Sequence, residues 1–181
     1  MFKEQQYTTA ILSITRRSIV TVMNDQQAEP EIPVGYVAGI IDVKGSLTVN
    51  FRTRPEYTLG FQAWPSLLVR TESEAIVGLL DAFSHSLGVQ AKIHKNVQEG
   101  RHEWLVEGAD DIARIIEELF PYLLLQHEKF QHYYERILPM FDDGIESEDD
   151  LLELADLAGE YSTKDRKYTR EFFEKEFSST A

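Results

Sequence analysis

From Val34 onward the apolar positions recur with a helical period. Val34, Val37, Ala38 and Ile41 fall on one face, while Gly35 and Gly39 lie four apart on another. Pro33 suits the first turn of such a helix, and Gly45 is expected to end it. At Ser46 the period changes to two. Leu47, Val49 and Phe51 alternate with Thr48, Asn50 and Arg52, with Arg54 following, which predicts a strand with one apolar and one polar, partly basic face. A turn at Pro55–Glu56 leads to a second strand, from Tyr57 to about Val69, expected to bend or bulge near Pro65.

The helical period returns from Glu72 to Leu87 through Ile76, Leu79, Leu80 and Phe83, and Gly88 ends it. Val89, Ala91 and Ile93 alternate with Gln90, Lys92 and His94 in a third strand. A turn at Glu99–Gly100 opens a fourth, Arg101 to Glu107, with Trp104 and Val106 inward. Two helices follow, Asp110 to Leu119 and Gln126 to Phe141, separated near Pro121. A strongly acidic helix, Ser147 to Leu157, and a last one from about Lys164 close the chain. The order helix–strand–strand–helix–strand–strand–helix with a helical tail predicts an α+β domain with helices on one face of the sheet. The other face would be polar and basic. Residues 1–31 read as an appendage, a hairpin or a helix around Arg16–Arg17, with a polar linker from Asn24 to Glu31. The main domain is expected over 32–144, with 145–181 as its helical extension.

Composition narrows this reading. With 181 residues and 43% hydrophobic positions, the chain can build a packed core. Without cysteine it makes no disulfide or thiolate metal site. It has no apolar run long enough to span a membrane and no signal-peptide layout, so a cytoplasmic protein is expected. The net charge of −13 argues at first against a polyanionic partner. Its distribution softens the objection, because residues 32–108 hold 7 basic and 8 acidic residues, whereas 109–181 hold 8 and 19. Acidic excess of this kind also suits a high-salt, halophilic cytoplasm. The sequence contains no P-loop, nucleophile elbow or His-Glu-x-x-His, and His127 and His132, five apart, are a poor helical metal pair.

The segment Val37-Ala38-Gly39-Ile40-Ile41-Asp42-Val43-Lys44-Gly45 resembles the signature of the LAGLIDADG homing endonucleases. Leu87-Gly88-Val89, Phe120-Pro121-Tyr122-Leu123 and the basic segment Ser162-Thr163-Lys164-Asp165-Arg166-Lys167 extend the resemblance over roughly residues 34–175. It implies an αββαββα domain with a four-stranded antiparallel saddle sheet and C-terminal helices. With one motif and no internal repeat, it also implies a homodimer joined through Gly35, Ala38, Gly39 and Asp42. Packing within the chain is the other use for paired glycines.

In that family a carboxylate at the penultimate motif position holds the divalent cations that cut DNA. Lys44 stands there, and an ammonium has no acceptor lone pair for a metal. Two further polar positions of the family site align with Glu72 and Gln126. Asp42, Lys44, Glu72 and Gln126 thus outline a degenerate site with no confident catalytic residue. The expected cofactor is none, with Mg²⁺ required only if cleavage survives. Arg52, Arg54, Gln62, Arg70, Lys92 and His94 are placed on the outward sheet face, where Arg and Gln can read base edges. Lys164, Arg166 and Lys167 are placed as phosphate contacts. The resulting expectation is a homodimer that binds double-stranded DNA without cutting it, in a regulatory or architectural role. No membrane and no small-molecule substrate are called for. An active Mg²⁺-dependent homing endonuclease and an RNA-binding, maturase-like splicing factor are the alternatives.

Overall fold

At Gly45 the chain passes from helix to strand with no intervening loop. Helix α1 runs Val34–Lys44, and strand β1 follows at once as Gly45–Thr53. The Gly45 amide donates to the Ile41 carbonyl, and a Cβ built on Gly45 would lie 2.4 Å from that oxygen. Its φ of −68° is ordinary, so glycine is required here for space and not for conformation. Lys44 in the last turn matches the negative end of the helix dipole.

The computed structural model describes residues 32–96, 100–161 and 167–180. The expected N-terminal appendage 1–31, together with Lys164 and Arg166, lies outside them. After β1 come β2 (Phe61–Thr71), α2 (Glu74–Ser86), β3 (Lys92–Asn96), β4 (Arg101–Glu107) and α3 (Ala109–Leu119). A short 3₁₀ turn at Phe120–Tyr122 precedes a long helix, α4, over residues 127–142, and α5 (Glu148–Gly159) and α6 (Arg170–Thr180) complete the order. The chain is α+β, and its four strands form one antiparallel sheet in the order β1-β2-β4-β3.

Three boundaries differ from the sequence expectation for physical reasons. The last helix, expected from about Lys164, starts at Arg170, where the Thr169 hydroxyl accepts the Phe172 amide ahead of its first turn. β2 starts at Phe61 because residues 54–60 close a tight loop, in which the Arg54 amide donates to the Gly60 carbonyl and Gly60 adopts φ +73°. β3 starts at Lys92 because Gly88 (φ +70°) and Val89 finish α2. Their amides donate to His85 and Ser84 in a Schellman closure. The bulge expected at Pro65 is not there: Val49 pairs with Pro65 in unbroken register. The β2–β4 ladder begins only at Ser66, so at Pro65 the missing N–H costs no bond on that side.

Register decides which side chains share a face. Leu47↔Leu67↔Val106 and Val69↔Trp104 lie on the side covered by α1, α2 and α3, and all five are buried. Trp104 is satisfied there by Ser84 Oγ at 3.1 Å. α4 adds Phe130, Tyr133 and Ile137 to the same core. Pro139 cannot bond the Glu135 carbonyl, and the turn before it widens into a π segment, Tyr133–Ile137. A second cluster forms where Phe173 of α6 meets Leu151, Leu152 and Ala155 of α5 and the rings of Phe51 and Phe61. The C-terminal helices thereby brace the far end of the β1–β2 hairpin. Among the described residues no helix is long and apolar enough to cross a membrane.

The helix-to-strand junction yields a direct test. Gly45→Ala is expected to cost about 1–3 kcal/mol in denaturant unfolding, because backbone must move to admit the methyl. Gly39→Ala, whose added Cβ meets nothing within 4 Å, should not destabilise the single chain. Equal losses from both would contradict this placement.

Candidate functional site

Asp42 lies at the end of α1 with only 5% of its surface exposed. Its Oδ2 accepts the backbone amides of Leu124 (2.9 Å) and Leu125 (2.7 Å), and its Oδ1 accepts that of Gln126 (2.7 Å). Burial pushes its carboxyl up. The three amides and the nearby His127 outweigh this and hold it below the usual carboxylate range. Gln126 answers from the other side. Its side-chain Nε2 donates to the Asp42 carbonyl at 2.7 Å, with longer approaches to Ile41 and Gly45. The two residues form a reciprocal clasp that caps α1 and fixes the 124–126 loop.

Lys44 is exposed just beyond the clasp. It borders a cleft of about 560 Å³ together with Arg70, Glu72, Ser73 and Arg101. The structure thus splits the four positions singled out in the sequence into two pairs: Asp42 and Gln126 in the clasp, Lys44 and Glu72 in the cleft. This donor set does not fit a divalent cation. Three amides bond the Asp42 oxygens, and Lys44 offers no lone pair.

The uncovered face of the sheet carries the even-numbered positions of β1 and β2. Arg52 pairs with Gln62 and Asn50 with Trp64 across β1–β2, and Arg70 lies on the same side. β3 contributes Lys92 and His94. Thr48, Asn50 and Ser66 are joined at 2.8 and 2.9 Å by hydroxyl and amide bonds. Five of the six residues expected on this face are therefore strand residues of it. Arg54 is not, since it falls in the 54–60 loop, 3.4 Å from Glu56, with its Nε buried. Lys167 and Tyr168 border the face beside Asn50 and Trp64, and the Lys167 ammonium lies 4.9 Å from the centre of the Tyr168 ring.

The face also carries residues the sequence reading passed over. Glu103 accepts Arg70 Nε at 2.7 Å, and Glu107 accepts Trp64 Nε1 at 2.9 Å as well as the Lys92 ammonium. Strand alternation carried the signal, because inward Trp104 and Val106 force Glu103 and Glu107 outward.

A separate apolar surface surrounds α1. Gly35 and Gly39 are exposed, as are Tyr36 and Val43, and the loop held by Asp42 presents Leu124 and Leu125 at 85% and 76% exposure. Ala38 and Asp42, expected between two copies, are instead enclosed within the chain, Ala38 by the core and Asp42 by the loop.

Neither a protein-family model nor a curated protein sequence matches the chain. Solved structures do. The homing endonuclease I-CvuI, in complex with the I-CreI target and 2 mM Mg with the DNA not cleaved, superposes with a TM-score of 0.64 and 24% identity. The match covers 81% of this chain and 92% of that one. The archaeal intron-encoded I-Vdi141I, complexed with DNA, gives 0.66 at 17% identity over 81% and 94%. The LAGLIDADG homing endonuclease I-SmaMI gives 0.63 at 18%, with this chain spanning 49% of it. The fold is that of the LAGLIDADG homing endonucleases.

The clasp predicts a pH signature. The folded carboxyl of Asp42 titrates below its unfolded value, so its stabilisation is complete above the ordinary carboxylate range and is lost as pH falls through the folded value. Asp42→Asn should cost about 1.5–3 kcal/mol at neutral pH. That deficit should shrink in acid, as read by urea unfolding across pH; a deficit independent of pH would contradict it.

Proposed function

We propose that this chain is a cytoplasmic, homodimeric double-stranded DNA-binding protein that holds duplex against the open face of its sheet and does not cut it. The observation that carries this reading is Lys44, an ammonium at the base of α1 in a cleft it shares with Arg70 and Arg101. A fixed cation there neutralises a phosphate as a bound metal would, but it cannot activate water or ligate a leaving oxygen. Binding is kept and hydrolysis is not.

The second copy is argued from the surface of α1. Exposed Tyr36, Val43, Leu124 and Leu125 form an apolar surface that a lone chain would leave in water. Gly39 lets another backbone approach between them, because no atom lies within 4 Å of its would-be Cβ. A two-fold contact through this surface is self-complementary and brings two open faces side by side. Arg52, Gln62, Arg70, Lys92 and His94 then meet the groove, and Lys167 meets the backbone. A regulatory or architectural role suits a protein of this kind.

The test is a selection from random duplexes with the full chain, followed by sizing of the complex in EDTA and in Mg²⁺ or Mn²⁺. The expected result is a defined site bound by two chains equally well in EDTA, with no nicking in either metal. Preference for folded RNA over duplex would overturn the reading. So would metal-dependent nicking abolished by Glu72→Gln, which would restore an active nuclease.

A further inference from the structure

Two carboxylates face outward from the centre of the open sheet. A surface built only to attract phosphate would not carry them, since each repels the backbone it faces. Glu103 lies opposite Arg70 on β2 and His94 on β3. Glu107 reaches diagonally in both directions, to Trp64 on β2 and to Lys92 on β3. The acids sit lower than the cations they hold. Their side chains are 32% and 27% exposed, against 60% for Arg70 and 61% for Lys92. The Arg70 bond uses Nε and leaves the η nitrogens for an acceptor outside the chain. The Glu107 oxygens divide their work, Oε1 taking the indole and Oε2 the ammonium.

We infer that Glu103 and Glu107 are positioning residues that set specificity, aiming Arg70 and Lys92 at base edges in the major groove and keeping these cations off phosphates, with the Trp64 indole holding Glu107 from its other side. This rests on the duplex-binding reading above. A guanidinium tethered through Nε presents a planar fork that matches the paired acceptors of guanine. A free one would settle on whichever phosphate lies nearest. The lysine follows the same logic, since a cation already neutralised by a carboxylate contributes little to counterion release and little to random-site affinity. The bond from Lys92 holds the Glu107 carboxyl below the usual range, against the opposing effect of burial and with help from the Trp64 bond, so this pairing is charged at neutral pH. The arrangement also suits a strongly acidic chain, whose affinity must come from fitted contacts more than from bulk charge.

Glu103→Gln and Glu107→Gln in the full chain test this, because glutamine keeps the size and an acceptor oxygen while removing the charge. Affinities for the selected duplex and for random duplex are measured across a salt series. Each substitution is expected to tighten random-duplex binding about tenfold and to steepen its log–log salt slope by about 0.9 per freed cation. The ratio of selected to random affinity should fall roughly tenfold. A parallel loss of both affinities at unchanged slopes would make the carboxylates merely structural and overturn the inference, as would no change at all. A second readout needs no DNA. In the free protein, Glu107→Gln should move the indole N–H resonance of Trp64 and leave that of Trp104, bonded to Ser84, in place. An unmoved Trp64 resonance removes the Trp64–Glu107 bond itself. A wild-type chain that binds no duplex sinks the reading beneath the inference, whatever the indole does.

Discussion

The contact between the Asp42 carboxylate and three consecutive backbone amides sets the geometry of everything around it. These amides would otherwise be unpaired at the start of α4, and the carbonyls at the end of α1 would be unpaired in turn. Asp42 satisfies these amides and Gln126 satisfies the Asp42 carbonyl, across a sequence separation of more than eighty residues. The clasp fixes where α1 stops. Gly45 then lets the chain enter β1 without a loop, and together these place Lys44 at the head of the cleft. It also holds Leu124 and Leu125 outward beside the exposed glycines, so one polar contact organises both the apolar surface and the charged one.

Charge on the open face is regulated more than it is accumulated. Two cations of the face, Arg70 and Lys92, are matched by carboxylates set slightly beneath them, while the excess acid of the sequence is carried by the last third, beginning with α3 and α5. A chain with a net charge of −13 therefore keeps a face on which Arg70 and Lys92 are more exposed than the carboxylates that hold them. Net charge alone does not describe this face, because a sheet separates its two faces by alternation, and alternation does not register in a sum.

That alternation made much of the fold legible in the sequence. The change of period at Gly45 located α1 and β1, and the outward parity of Arg52, Gln62, Arg70, Lys92 and His94 followed from it. The start of β2 was misplaced because Tyr57 and Leu59 continue an apolar rhythm that Gly60 interrupts through its positive φ. The regular pairing of Pro65 depends on where β4 ends, and strand order is not a local property. The clasp was out of reach for the same reason. Asp42 could be read as the end of a helix, but the amides it holds lie far along the chain. Ala38 was placed with the glycines because it is small, whereas the core takes it. The outward direction of Glu103 and Glu107 was available from parity, but their partners required the register of β3 against β4.

In the proposed DNA-binding dimer, Lys44 stands where a cutting enzyme would hold metal. The most direct measurement is anomalous scattering from crystals of the full chain with its selected duplex, grown in Mn²⁺. The expected density shows no manganese between the paired α1 helices and the Lys44 ammonium about 3 Å from a phosphate oxygen. A manganese ion bonded to the carboxylate of Asp42 or Glu72 beside a phosphate would contradict it.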